Sequence, residues 1–213
     1  LSMTTFYFIR HGETEWNNNQ NRYCGRSDIA LAETGVFQSR ILAKMLGTIP
    51  FDKAFSSPLL RARKTALPIT ERLGLPLHLD DRLKEIDFGD WEGLTQQEIE
   101  LNYPQQWQSW IEDPTFIKAG GNGESGIDAA QRMRSFVDDM VTSPFETILV
   151  ISHNTVMRLF IAASLGLSLV SYRNFEIDNG DIWVVNIDDS GLIKWKSGLH
   201  MAHLMMQGIE PLI

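Results

Sequence analysis

The sequence predicts an α/β protein built on a mainly parallel, mixed sheet. Three observations lead there. Residues 4–10 are β-branched and aromatic (Thr-Thr-Phe-Tyr-Phe-Ile-Arg), the make-up of a buried strand. Residues 147–152 (Thr-Ile-Leu-Val-Ile-Ser) are almost continuously apolar, as a parallel strand covered on both faces has to be. Between the two, short strand-like runs alternate with stretches of helical periodicity, the order that produces βαβ units. A chain of 213 residues suffices for one substantial core. A single domain is expected over residues 3–213, with Leu1 and Ser2 ahead of Met3 set aside as a remnant.

Taken in order, the first strand ends at Arg10-His11-Gly12, where Gly12 is expected to let the backbone turn. Residues 15–28 are polar, rich in Asn and contain Gly25, and read as a loop overhanging that strand end. Thr34 reads as the N-cap of a helix reaching about Leu46, with Phe37, Ile41, Leu42 and Met45 at helical spacing and Gly47 as its stop. A short strand over 51–55 runs into Ser56-Ser57-Pro58, where Ser57 is expected to cap a helix and Pro58 to occupy its first turn. Arg61 then falls in a first helical turn, where outward amides and the helix dipole favour anions.

Residues 75–79 give a third strand. Glu85, Asp87, Asp90 and Glu92 follow among apolar and aromatic neighbours. Burial by such neighbours raises a carboxyl pKa, so one of the four suits a general acid. Residues 95–115 hold two short helical patterns with Tyr103, Trp107, Trp110 and the breakers Pro104 and Pro114. They are expected to form a helical cap insertion over about 94–124, although core packing explains Trp107 and Trp110 equally well. Gly121, Gly123 and Gly126 have dinucleotide-loop spacing, but no apolar strand precedes them, so Ser125 is read instead as the start of a helix carrying Ala129, Met133, Phe136, Val137 and Met140.

The strand 147–152 ends at His153, and a helix over 154–165 is closed by Gly166. Strand-like stretches near 174–177, 182–187 and 193–196 complete the sheet, with a hairpin turn at 188–191. The tail 200–213 holds Met201, Leu204, Met205, Met206 and Ile209. It is apolar enough to dock on the body or on a second subunit, so a homodimer is one expectation.

Composition removes several classes of function. Hydrophobic residues make up 43% of the chain, but no apolar run approaches the roughly 20 residues that span a bilayer. With 19 Lys and Arg against 27 acids the net charge is -8, which repels polyanions and excludes nucleic acid as a partner. Cys24 is the one cysteine, so no intramolecular disulfide forms, and no leader pattern is present; the cytoplasm is the expected compartment. Cys24 is followed six residues later by Ala30, where a cysteine phosphatase needs an Arg. No Walker A loop, His-Glu-x-x-His pair or dense carboxylate cluster is present, so neither a metal nor a cofactor is expected.

What remains is a set of cations and imidazoles at strand ends. A guanidinium presents a fork to an anion and a neutral imidazole a nucleophilic nitrogen. Taken alone, Arg10-His11 reads first as a basic strand end with a surface histidine, and Arg61 equally as a solvated helix residue. Arg10, Arg61 and His153 together supply the side-chain cations that metal-free phosphoryl transfer needs.

Arg10-His11-Gly12-Glu13-Thr14-Glu15-Trp16-Asn17, the run from Ser56 to Ala66 (SSPLLRARKTA), the run from Glu85 to Gly93 (EIDFGDWEG), Gly123-Glu124-Ser125 and Ser152-His153 occur in this order across about residues 4–198. This set resembles the histidine phosphatase superfamily, also called phosphoglycerate mutase-like. The resemblance implies a three-layer αβα sandwich. It implies His11 as the nucleophile that becomes phosphohistidine, Arg10, Arg61 and His153 as the groups that neutralise the phosphoryl, and Glu85 as proton donor. Asn17 matches a further phosphate-binding position, and Thr14 and Gly25 fall in stretches that line the pocket in the family. Asn154 stands where a Gly is usual, and Cys24 where pocket-side residues vary.

The segment after Glu85 is similar to the phosphatase branch, in particular to α-ribazole phosphatases and broad-specificity phosphatases. The mutases carry an Arg-His or Arg-Tyr-Gly segment there. The expected activity is hydrolysis of a small phosphorylated metabolite; a cofactor-dependent phosphoglycerate mutase and a non-catalytic phospho-ligand binding module are the two alternatives. The aromatic residues Tyr103, Trp107, Trp110 and Phe116 suggest an apolar or ring-bearing leaving group.

Overall fold

The computed structural model describes residues 2–206. Its six strands are β1 (Met3–Arg10), β2 (Lys53–Ser56), β3 (Leu77–Leu79), β4 (Thr147–Ser152), β5 (Ile182–Asp188) and β6 (Ile193–Leu199). They form one sheet in the order β3-β2-β4-β1-β5-β6. The first four strands of that order run parallel, and β5 and β6 are antiparallel to their neighbours. The near-continuous apolar run of β4 is explained by its place between β2 and β1, with residues 148–152 buried on both faces.

The eight α-helices among the described residues are α1 (Glu15–Asn18), α2 (Glu33–Leu46), α3 (Leu60–Leu73), α4 (Gln96–Asn102), α5 (Pro104–Glu112), α6 (Gly126–Val141), α7 (Asn154–Ser164) and α8 (Met201–Met206). Strand alternation divides the apolar side chains into two cores. Phe6, Phe8, Ile148, Val150, Trp183 and Val185 face the layer holding α6 and α7. Ile9, Leu149, Ile151, Ile182 and Val184 face α2 and α3 on the other side. The sheet between two helical layers is the expected sandwich.

Several local expectations are corrected. Residues 15–28 include the helix α1 rather than loop alone. The N-cap of α2 is Ala32, not Thr34. Helix α3 begins at Leu60 with Leu59 as N-cap, so Ser57 does not cap it and Pro58 lies outside it. Strand β2 spans Lys53–Ser56, and β3 is confined to Leu77–Leu79. The stretch near 174–177 is no strand: a 3-10 helix (Leu169–Asn174) precedes it and the chain stays irregular up to β5. Gly12 does not turn through a positive φ; a Cβ there would stand 2.7 Å from the carbonyl of Gly35, so its role is close packing against α2.

Helices α4 and α5 appear where two helical patterns were read, and Thr95 forms a capping box with Glu98. Trp107 and Trp110 belong to the core, packed edge-on against Trp91, and Trp110 donates to the hydroxyl of Tyr172 at 3.0 Å. Of the tail, Met201 is buried against the core on the α2 and α3 side, while Ile209 lies outside the described residues.

Candidate active site

The parallel strands bring the predicted residues to one sheet edge. Arg10 pairs with Ser152 and Ser56 with Ile151 in register, so β1, β2 and β4 end in one row. His11, Ser57 and His153 are the next residues along. The His11 amide donates to Ser152 O at 3.1 Å and the Ser57 amide to Ile151 O at 3.0 Å, which carries the ladder past the strand ends. The two imidazoles face each other with ring centres 5.1 Å apart. This is the carboxyl edge of the parallel strands, where α/β sheets place their ligands.

His11 is 5% exposed, and its Nδ1 lies 2.7 Å from Gly12 O. A carbonyl only accepts, so Nδ1 carries the proton and Nε2 keeps its lone pair. Burial, followed by the charges of Arg61 and Arg10, holds the His11 pKa well below the usual imidazole value. His153 is buried completely, and its pKa is lowered by burial, then by Arg61 and His11. Both rings are neutral at neutral pH. His153 Nε2 lies 2.7 Å from Ser57 Oγ, while its Nδ1 is buried without a hydrogen-bond partner.

Arg61 is fully buried at the start of α3. Its terminal nitrogens donate to Ser27 O (2.8 Å), Gly25 O (2.7 Å) and Cys24 O (3.2 Å). The loop after α1 thus orients the guanidinium through backbone carbonyls. Gly25 makes that loop possible, because a Cβ there would collide with Ile86 O. Arg10 donates to Ile177 O at 2.7 Å, and burial brings its pKa down to about 10, leaving it charged. The Nε atoms of Arg10 and Arg61 are buried without partners. Unspent buried donors are costly unless a ligand takes them.

Glu85 is 3% exposed and accepts three backbone amides. Oε1 takes Ile86 N and Val156 N, both at 2.9 Å; Oε2 takes Thr155 N at 3.0 Å. The last two are amides in the first turn of α7, so a helix start fixes this side chain beside the histidine that precedes it. Of the other three acids, Glu92 binds the amides of Gly25 and Arg26, Asp87 caps the turn at Gly89, and Asp90 accepts from Asn122. They hold loops in place.

A cavity of about 220 Å³ opens over these groups. Arg10, His11, Asn17, Cys24, Glu85 and Asn154 line it, with Arg61 and His153 buried in the surrounding shell. Burial pushes the Cys24 thiol up to about 11, so it is an uncharged wall residue. Thr14 and Gly25 do not line the cavity. Thr14 caps α1 and binds Asn17, and Gly25 orients Arg61. The wall also lacks Tyr103, Trp107, Trp110 and Phe116, the last of which is 80% exposed. Its aromatic members are Tyr23, Phe88 and Tyr172, and the remainder is polar. Among the described residues no group of three or more His, Cys, Asp or Glu is placed to hold a metal ion.

Sequence reasoning missed Asn179, Ser57 as a partner of His153, and Arg158. The Asn179 amide donates to His11 O at 3.1 Å and Asn17 Oδ1 at 3.3 Å. Asn17 Oδ1 also accepts from the Thr14 amide and hydroxyl, so three donors fix which end of this carboxamide is the acceptor and leave its NH2 as a donor. Asn179 sits in the irregular segment before β5, where no periodicity marks it. Arg158 follows His153 by five residues on α7, a position that only the helix geometry turns toward the cavity.

The model of the histidine phosphatase superfamily (branch 1) matches residues 6–196. Phosphoserine phosphatase 1 of Hydrogenobacter thermophilus is 34% identical over 188 residues, 88% of each chain. Adenosylcobalamin/alpha-ribazole phosphatase of Salmonella typhimurium is 31% identical, over 82% of this chain and 86% of its own. The crystal structure of a phosphoserine phosphatase from Entamoeba histolytica, in complex with 3-phosphoglyceric acid, superposes with a TM-score of 0.82 at 29% identity, covering 94% of this chain and 99% of that one. The strand-end histidines and arginines, the match across nearly the whole chain and these relatives agree: the chain belongs to branch 1 of the histidine phosphatase superfamily and is a phosphatase.

Proposed function

We propose that the chain hydrolyses a phosphomonoester in two steps through phosphohistidine at His11. The observation that carries this is the 2.7 Å contact of His11 Nδ1 with Gly12 O, which puts the ring proton on Nδ1 and leaves Nε2 as a buried neutral nucleophile in the field of Arg61 and Arg10. Nε2 attacks phosphorus, the bond to the ester oxygen breaks, and Arg10, Arg61, His153 and the Asn17 NH2 balance the equatorial oxygens. These four residues and His11 are the proposed phosphoryl site.

Glu85 delivers a proton to the departing oxygen. Both lone pairs of its Oε1 are occupied by amides, whereas Oε2 accepts one, so the proton rides on Oε2. Water then attacks the phosphohistidine and gives its proton back to the same oxygen; phosphate leaves and His11 is restored. Asn154 and Cys24 shape the wall on which the alcohol portion rests. A cavity of about 220 Å³, below the roughly 300–1,000 Å³ of pockets for drug-sized ligands, suits a small metabolite. The cytoplasm is its proposed compartment.

The test is release of inorganic phosphate from p-nitrophenyl phosphate after exhaustive EDTA treatment, with His11→Ala alongside. Wild type retains its rate and His11→Ala falls below about a tenth of it, an order-of-magnitude threshold. Loss on EDTA treatment that Mg²⁺ or Zn²⁺ restores, or a fully active variant, contradicts the reading. With 3-phosphoglycerate and 2,3-bisphosphoglycerate as substrates, free phosphate rather than 2-phosphoglycerate is the expected product; the latter would mark a mutase.

A further inference from the structure

We infer that the preferred substrate carries a carboxylate on its alcohol portion and that Arg158 binds it. This rests on the phosphatase reading and extends it to the leaving group. Three arginines line the cavity: Arg10, Arg22 and Arg158. Arg10 stands beside the nucleophile and belongs to the phosphoryl site. Arg22 is committed to Glu98 at 3.0 Å and to Gly93 O at 2.9 Å. Arg158 has no carboxylate partner among the described residues. Its hydrogen bonds, Nε to Asn154 O and Nη1 to Phe175 O, are both 3.4 Å long, at the outer limit of such contacts.

The guanidinium is nevertheless held in place. Its Cζ lies 5.0 Å from the centre of the Tyr172 ring, and the Tyr172 hydroxyl is itself fixed by Trp110 Nε1 at 3.0 Å. A positioned, half-buried cation on a cavity wall with its hydrogen-bonding capacity largely unused is a site for an anion. The phosphoryl group already has its own cations, so the second anion comes from the rest of the substrate. Glu85 is the one acidic residue lining the cavity, and it is neutral when it acts as proton donor. No wall carboxylate therefore opposes a substrate carboxylate at Arg158, and none is available to pair with a substrate ammonium. The neighbouring Gln20, Asn21, Gln96 and Thr155 offer hydrogen bonds to hydroxyl groups. A short hydroxy acid esterified by phosphate fits this wall better than a ring-bearing alcohol does.

The test compares two esters with the same three-carbon skeleton, 3-phosphoglycerate and glycerol 3-phosphate, which differ in carboxylate against hydroxymethyl. Wild type should favour 3-phosphoglycerate in kcat/KM by about 10- to 100-fold, the range for a hydrogen-bonded charge pair. Arg158→Gln should bring the ratio close to one by lowering the 3-phosphoglycerate value, with Arg158→Lys between the two. A wild-type ratio near one overturns the inference without any variant being needed. Equal loss on both esters in Arg158→Gln overturns it as well, and would make Arg158 a phosphoryl ligand. Hydrolysis of p-nitrophenyl phosphate separates the levels: if it proceeds while the ratio is one, only the carboxylate assignment fails, and if no ester is hydrolysed, the phosphatase reading itself fails.

Discussion

Ser57 Oγ lies 2.7 Å from Nε2 of His153, a residue 96 positions further along the chain. The same oxygen accepts the Leu59 amide at 3.3 Å, and its own proton has no other acceptor among the described residues. That proton therefore goes to Nε2, which puts the ring proton of His153 on Nδ1, the buried atom without a partner. Nδ1 is then a donor ready for a phosphoryl oxygen. Ser57→Ala should lower kcat/KM for p-nitrophenyl phosphate about tenfold, the cost of about 1.4 kcal/mol for a lost buried hydrogen bond, and weaken inhibition by inorganic phosphate in parallel. Ser57→Thr should retain both. Steady-state kinetics check this, and unchanged phosphate inhibition in Ser57→Ala would make the serine merely a packing residue.

Glu85 separates good from poor leaving groups. If its Oε2 delivers the proton, Glu85→Gln should slow an alkyl phosphate by about 10²- to 10⁴-fold, while p-nitrophenolate, which leaves with little help, still departs in a burst. Slow dephosphorylation should follow, because the same oxygen activates water. Rapid-mixing kinetics on both esters check it. Equal losses without a burst would make Glu85 a structural residue rather than the proton donor.

Acid should destabilise the free enzyme through its buried imidazoles. His11 and His153 have folded-state pKa values held below the ordinary 6.5, so between that value and their own the unfolded chain binds more protons than the native one. Stability is then fully present above about pH 6.5 and falls as pH drops, by about 1.4 kcal/mol per pH unit for each histidine. His11→Ala removes one contribution. Between pH 6.5 and 5.5, where the unfolded histidine goes from half to almost fully protonated, it should lose about 1 kcal/mol less than wild type in urea melts without phosphate. Parallel losses would show that His11 titrates as an ordinary histidine.

The parts of the site that follow strands were legible because a strand end is written in local composition. Residues 4–10 and 147–152 announce β1 and β4, and His11 and His153 follow at once. Arg61 was found on a mistaken premise: Ser57 looked like an N-cap, yet α3 begins three residues later and Ser57 instead binds His153. A serine before a proline reads the same in either case, since only the register of β2 against β4 brings the two together. The place of Trp107 and Trp110 stayed open between cap and core for a related reason. Helical spacing shows that Trp107 and Trp110 share a face, but whether that face meets core or cavity is decided by the partners Trp91 and Tyr172, far away in sequence. Asn179 and Arg158 gave no local signal; one lies in an irregular segment and the other on an otherwise apolar helix.

The central claim is a covalent phosphoryl group on Nε2 of His11. The direct measurement is brief reaction of Glu85→Gln with p-nitrophenyl phosphate, quenching in base, and phosphorus NMR and peptide mass spectrometry of the denatured protein. The expected result is stoichiometric phosphate on the peptide containing His11, stable in base, released by acid, and missing from the His11→Ala, Glu85→Gln double variant. Hydrolysis at a measurable rate with no phosphate on His11, or with phosphate on His153 instead, would contradict the account.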